Sequence, residues 1–252
     1  VRAFFLAAGT LAEREVVRFY RERSRVVGAL GFPLLMWLVL GSGFGRSYRQ
    51  FFLPGACVLI AVFAAIFSMA SVIEDRREGF LQGVLVSPAP RLSIAAGKIA
   101  GGAALAVPQA AAVLLLGIPA GLPFTPAAFA AAVGVLSVIS LELAAIGFLF
   151  AWRMRSVPGF HAVMNLLLVP LWLLSGAFFP SSTATPALRA LMAANPLSYG
   201  MDAMQTLLLG VPGRFPLSIS IPVSAAAAAA LAVTAGAAVA RGGAGRIRRR
   251  SS

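Results

Sequence analysis

Six apolar runs, at about residues 26–45, 51–73, 99–121, 126–151, 162–179 and 217–240, are separated by short segments that hold nearly all of the charge. A hydrocarbon core about 30 Å thick is crossed by roughly 20 apolar residues in a helix, so each run predicts a membrane span. The pattern before the first run is different. In residues 10–25, TLAEREVVRFYRERSR, Ala12, Val16, Phe19 and Tyr20 recur at helical spacing while Arg14, Arg18, Arg21 and Arg25 occupy another face. That predicts an amphipathic helix along the membrane surface, its apolar side in the acyl boundary and its arginines toward anionic headgroups. Thr10 and Glu13 have the spacing of a capping box, which predicts a helix start at Thr10. Between the fifth and sixth runs, NPLSYGMDAMQTLLLG is helix-capable but too short to cross, which predicts a short outer re-entrant or surface-lying helix. The fold class is therefore all-α: a polytopic membrane protein of six transmembrane helices with one amphipathic helix before them.

Composition agrees with that reading. Of the 252 residues, 60% are hydrophobic and 12% charged, against roughly a quarter charged in ordinary globular chains. The net charge of +13 does not mark a nucleic-acid surface, because the basic residues lie between apolar runs rather than on a soluble domain. They set orientation instead. Six fall in residues 1–25, four in 74–98, two in 152–161 and five in 241–252, while only Arg46, Arg49, Arg189 and Arg214 fall in the alternate segments. Both termini are thus expected in the cytoplasm of a cell inner (plasma) membrane protein, with 241–252 as a basic tail against membrane lipids. The first 25 residues do not have the form of a cleavable signal.

No catalytic constellation is present. The single Cys57 lies in an apolar run, His161 has no metal-ligating neighbours in sequence, and no phosphate-binding glycine loop with Lys-Ser/Thr occurs. The chain is expected to hold no metal and no cofactor of its own, and not to be an enzyme. Glu142 is the one acid well inside a span, with Gln109 and Asn165 the nearest polar company within spans. Such a residue either lines a pathway, as in a gradient-driven secondary carrier, or is a protonated structural group.

The most charge-dense stretch is 74–98, EDRREGFLQGVLVSPAPRLSIAAGK. EDRREG continues the second span as a helix end, Gly79 permits a turn, FLQGVLV is apolar but too short to span, and SPAPR breaks helix. An apolar knob flanked by charges at the membrane face suits a groove on a partner protein.

That loop, with RMRSVPGFHAVMNLLLVPLWLLSGAFFP at 153–180 and NPLSYGMDAMQ at 195–205, resembles the permeases of type-2 ATP-binding-cassette (ABC) transporters, especially daunorubicin-resistance-type multidrug exporters. The resemblance covers nearly the whole chain as a single transmembrane domain, 1–252. It implies an ABC exporter permease for hydrophobic drug-like or lipid-like substrates. It also implies a second permease copy or a paralogue as partner, and a separate ABC ATPase subunit carrying ATP and Mg. The ATPase-coupling surface it implies comprises Glu74, Asp75, Arg76, Glu78, Gly79, Pro88 and Arg91. A substrate path between the second and fifth spans would involve Phe63, Phe67, Asn165, Leu168 and Glu142. An outer motif comprises Asn195, Pro196, Tyr199 and Asp202.

Overall fold

Helix α3, Arg46–Arg77, is the axis of the molecule: its apolar stretch is buried almost throughout, and most other spans pack on it. In the computed structural model the backbone is described for residues 1–87, 89–122 and 125–248, with side chains through Arg241. Among the described residues there are ten α-helices and no strand. The others are α1 (Arg2–Arg21), α2 (Arg23–Gly43), α4 (Phe80–Val86), α5 (Leu92–Leu114), α6 (Pro126–Arg153), α7 (Val157–Trp172), α8 (Pro186–Ala194), α9 (Pro196–Leu209) and α10 (Leu217–Arg248). Six of them, α2, α3, α5, α6, α7 and α10, are long and apolar enough to cross a membrane. With α3 at 32 residues, a length of about 48 Å exceeds a bilayer core, so its charged Glu74–Arg77 end projects beyond the apolar zone.

Helices α2, α5, α6, α7 and α9 surround α3, and α10 closes the outside against α6, α9 and α5. Large apolar residues left on the surface, among them Val27, Leu35, Leu38, Leu166 and Val233, suit contact with acyl chains rather than water.

Two elements differ from expectation. Helix α1 begins at Arg2, not Thr10, and Thr10 is an interior residue whose hydroxyl donates to Leu6 O at 2.9 Å. The capping-box spacing is present without the cap, because residues 2–9 are themselves helical and Ala8 packs on Gly97 of α5. The segment between α7 and α10 holds two helices rather than one. Asn195 separates them, its side chain accepting from the Leu197 N–H at 3.1 Å as the N-cap of α9.

Helix α7 does not run straight out. After Trp172 it passes through a wide, π-helical turn over Leu173–Ala177 in which Gly176 adopts φ 88°. That left-handed conformation favours glycine.

Candidate functional site

The charged end of α3 is where α1, α3, α4 and α5 meet. The apolar stripe of α1 contains an acid: Leu11, Glu15 and Phe19 lie one helical turn apart on the buried face. Two glycines on α5 let that face come close. A Cβ on Gly97 would stand 2.6 Å from Ala8 O and 2.7 Å from Leu11 Cβ, and one on Gly101 would stand 2.9 Å from Glu15 Cβ. Small residues four apart on α5 thus meet Ala8 and Ala12 on α1, the close-approach packing common between membrane helices.

Inside this joint lies a buried ion cluster. Lys98 on α5 donates to Glu15 Oε1 at 2.5 Å, to Ser71 Oγ at 3.1 Å, and to Asp75. Ser71 in turn donates to Glu15 Oε2 at 2.5 Å. Glu15, Ser71, Asp75 and Lys98 are all at most 2% exposed. One buried cation against two buried carboxylates leaves an excess negative charge. Arg14 offsets it through a bidentate pair to Asp75, both bonds at 2.8 Å, and Arg18 adds a bond of 2.9 Å. The same pairing raises the Arg14 pKa above its ordinary value, against an opposing effect of burial.

The network extends outward. Arg18 and Arg25 each reach Glu74 at 2.9 Å, and Arg18 lies 3.7 Å from Glu78. Arg14 also sits over the Phe80 ring, 3.7 Å from its centroid, so one guanidinium joins α1 and α3 to the first residue of α4. The face of α1 carrying Arg14 and Arg18 therefore turns to carboxylates of α3 instead of lipid headgroups. Arg76 takes a different direction: it donates to the carbonyls of Ala151 and Trp152 at 2.8 and 2.6 Å, and to Met154, tying down the end of α6.

Of the sequence-singled residues, Glu74, Asp75, Arg76, Glu78 and Gly79 fall at this joint. Gly79 takes φ 82° where α3 hands over to α4. Arg91 occupies the N-cap position of α5, and its side chain makes no hydrogen bond among the described residues. Pro88 lies outside the described residues. Glu15, Ser71 and Lys98 were missed as a cluster. The available signal was an acid inside the apolar stripe of α1 together with the sequence's one lysine.

The residues of the expected path do not converge on one point. Phe63 and Phe67 stack at 6.2 Å, Phe67 meets the His161 ring at 5.6 Å, Leu168 is in the core, and Asn165 is exposed on α7. Glu142 instead faces Ser224 on α10. Both are about 1% exposed, and neither the carboxyl oxygens nor the hydroxyl has a hydrogen bond within 3.5 Å of good geometry. Neither Gln109 nor Asn165 is its partner: Gln109 donates to Leu105 O on its own helix.

At the opposite end, the 195–205 motif serves the break in α7. Asn195 donates to Leu171 O at 2.6 Å, Ser198 to Leu174 O at 3.3 Å, and Gln205 to Gly176 O at 3.0 Å. Pro196 opens α9, Tyr199 donates to Ala193 O at 3.0 Å, and Tyr199 stacks on Phe215 at 4.8 Å. Asp202 accepts from the Phe215 N–H at 3.3 Å, and burial pushes its carboxyl above the usual range.

A family profile described as ABC-2 type transporter matches residues 7–209. The chain is 26% identical over 200 residues to the daunorubicin resistance ABC transporter permease protein DrrB1 of Streptomyces coeruleorubidus, covering 75% of this chain and 68% of that one. It is 25% identical over 209 residues to the putative transport permease ycf38 of Cyanophora paradoxa, covering 78% of this chain and 72% of that one.

Proposed function

The chain belongs to the ABC-2 type transporter family as a multi-pass transport permease, and from that premise we propose that it is the membrane subunit of an ABC exporter driven by a separate ATPase. The observation that carries the proposal is the Arg14 joint, in which one guanidinium bridges Asp75 on α3 and Phe80 on α4. A short helix projecting between two spans is moved by whatever grips it. Here that movement passes directly into α1 and α3, and through Lys98 into α5. Phe80 and Val86 on α4 are exposed, as a knob for a partner's groove requires.

In this reading the joint faces the cytoplasm, since the basic segments lie on its side, and both termini are cytoplasmic in the plasma membrane. ATP and Mg bind the partner ATPase. Nucleotide binding favours one arrangement of the paired subunits, and differential affinity for the two arrangements drives the bundle between inward- and outward-facing states. A second permease copy or a paralogue completes the path, which runs beside α3 and α7 on the side of Phe63 and Phe67 and carries a hydrophobic drug-like or lipid-like substrate. Glu142 lies apart from those aromatic residues and meets a single hydroxyl. A gradient-driven carrier would need several polar groups converging at the midplane.

Arg91→Ala tests the coupling, because Arg91 holds no structural bond among the described residues. In the chain copurified with its ATPase subunit, ATP hydrolysis falls while membrane insertion is unchanged. Unaltered hydrolysis removes Arg91 and this surface from the coupling path.

A further inference from the structure

A second site lies where the last turns of α6 and the lower part of α10 separate. There Trp152, Arg153, Val233, Thr234, Ala237, Ala238 and Arg241 line a groove of about 520 Å³. Its wall along α10 is apolar at Val233 and Ala237 and ends at Arg241, three positions at four-residue spacing that climb about 12 Å. That length fits within one leaflet of a bilayer whose core is about 30 Å thick. At the mouth stand two guanidinium groups, Arg153 and Arg241, both exposed and neither hydrogen-bonded nor ion-paired among the described residues.

Arg153 in the last turn of α6 suits that helix's dipole. Arg241 has no such reason, because α10 continues to Arg248. Beside Arg153, Trp152 also lines the groove and stacks on Phe148 at 5.6 Å. The end of α6 is held in place by Arg76 on the Ala151 and Trp152 carbonyls, so the groove has a fixed rim.

We propose that this groove is a binding site for an anionic phospholipid, with one acyl chain along Val233–Ala237 and the phosphate between Arg153 and Arg241. Charge complementarity selects the occupant. Two unpaired cations at the depth of a span end match a headgroup phosphate, and an apolar groove below them matches an acyl chain. The site is separate from the joint at Lys98, and the proposal does not depend on ATP coupling.

The test is native mass spectrometry of the purified full chain, titrated with phosphatidylglycerol or with phosphatidylcholine of the same acyl chains. Phosphatidylglycerol is retained preferentially. Arg153→Gln/Arg241→Gln weakens its retention by about fivefold for each arginine lost, roughly 25-fold for the pair. Arg77→Gln, which removes a charge at the same end of the bundle outside the groove, leaves retention unchanged. Ala237→Phe fills the groove with both arginines intact and also displaces the lipid, whereas inorganic phosphate does not compete. Equal retention of the two lipids by the wild-type chain overturns the proposal. So does wild-type retention of phosphatidylglycerol by the double variant, or an equal loss on Arg77→Gln.

Discussion

Lys98 Nζ and Glu15 Oε1 stand 2.5 Å apart across 83 positions of sequence, and both side chains are sealed from solvent. The pair converts an amphipathic helix that precedes the spans into a built-in part of the bundle. Desolvating a lysine and two carboxylates costs several kcal/mol per ion, so the arrangement stands only because each partner is present and Arg14 and Arg18 complete the charge.

Lys98→Met removes the cation and keeps most of the volume. Glu15 and Asp75 then face each other without it, and the expected loss is about 3–5 kcal/mol. Thermal unfolding in detergent measures it. Lys98→Met/Glu15→Leu removes the orphaned charge as well, while Asp75 keeps Arg14 and Arg18. The double variant is therefore more stable than Lys98→Met alone, a non-additivity that a merely volumetric role for Lys98 does not give.

Gly97→Val tests the close approach of α1. Even the first carbon of the new side chain would lie 2.6 Å from the Ala8 carbonyl, and backbone cannot swing aside as a side chain can. The expected cost is about 1–3 kcal/mol, taken up by lifting α1 from α5. Limited proteolysis reads this as faster cleavage within residues 2–21. Gly83→Ala on α4, where a Cβ meets nothing within 4 Å, serves as the control.

The six spans were legible because a run of some 20 apolar residues has few alternatives. The turn at Gly79 was legible from one glycine, and FLQGVLV as an apolar segment too short to span, but that this segment is itself a helix, Phe80–Val86, was not read from the residues. What escaped was pairing across the sequence. Glu15 looks like one more charge in a charged segment until its place between Leu11 and Phe19 is compared with the lone Lys98, and nothing local says that these two meet. Thr10 and Glu13 misled in the other direction: capping spacing is a short motif, and a helix that already runs from Arg2, with Ala8 packed on α5, overrides it. Glu142 shows the same limit. Its position inside a span was plain, but its neighbour Ser224 comes from a helix more than eighty residues away.

Arg14→Lys keeps the charge and loses both the planar fork on Asp75 and the face that covers Phe80. If Arg14 transmits motion from α4, ATP hydrolysis and transport in the complex come apart: hydrolysis persists and transport falls severalfold. The cation–π contact contributes about 0.5–1 kcal/mol and the lost second bond to buried Asp75 about 1.5–3 kcal/mol, while Lys keeps the charge, so the protein is destabilised by a few kcal/mol and still folds. Phe80→Leu, which keeps an apolar residue without the ring, has the same signature. Parallel loss of both activities assigns Arg14 to stability alone.

Gln205 bears on the break in α7. The wide turn over Leu173–Ala177 leaves carbonyls that a straight helix would have used, and at Gly176 the carbonyl is taken by Gln205 at 3.0 Å. Within a membrane an unmatched carbonyl has no water to turn to. Gln205→Leu therefore costs about 1–3 kcal/mol, the penalty of one buried acceptor left unsatisfied. Asn195→Ala costs at least as much, because Asn195 both caps α9 and donates to Leu171 O. The two losses should couple if α9 holds the break as one unit: both variants free the same turn, so the double variant loses less than the sum. Gln205→Glu separates bonding from packing, since a carboxylate of the same shape cannot donate to Gly176 O. Hydrogen exchange locates the effect, with faster exchange confined to residues 171–178 and the Lys98 joint unaffected at the other end of the bundle. Exchange that quickens equally at both ends would mean that the break and the joint unfold together and that α9 does not act locally.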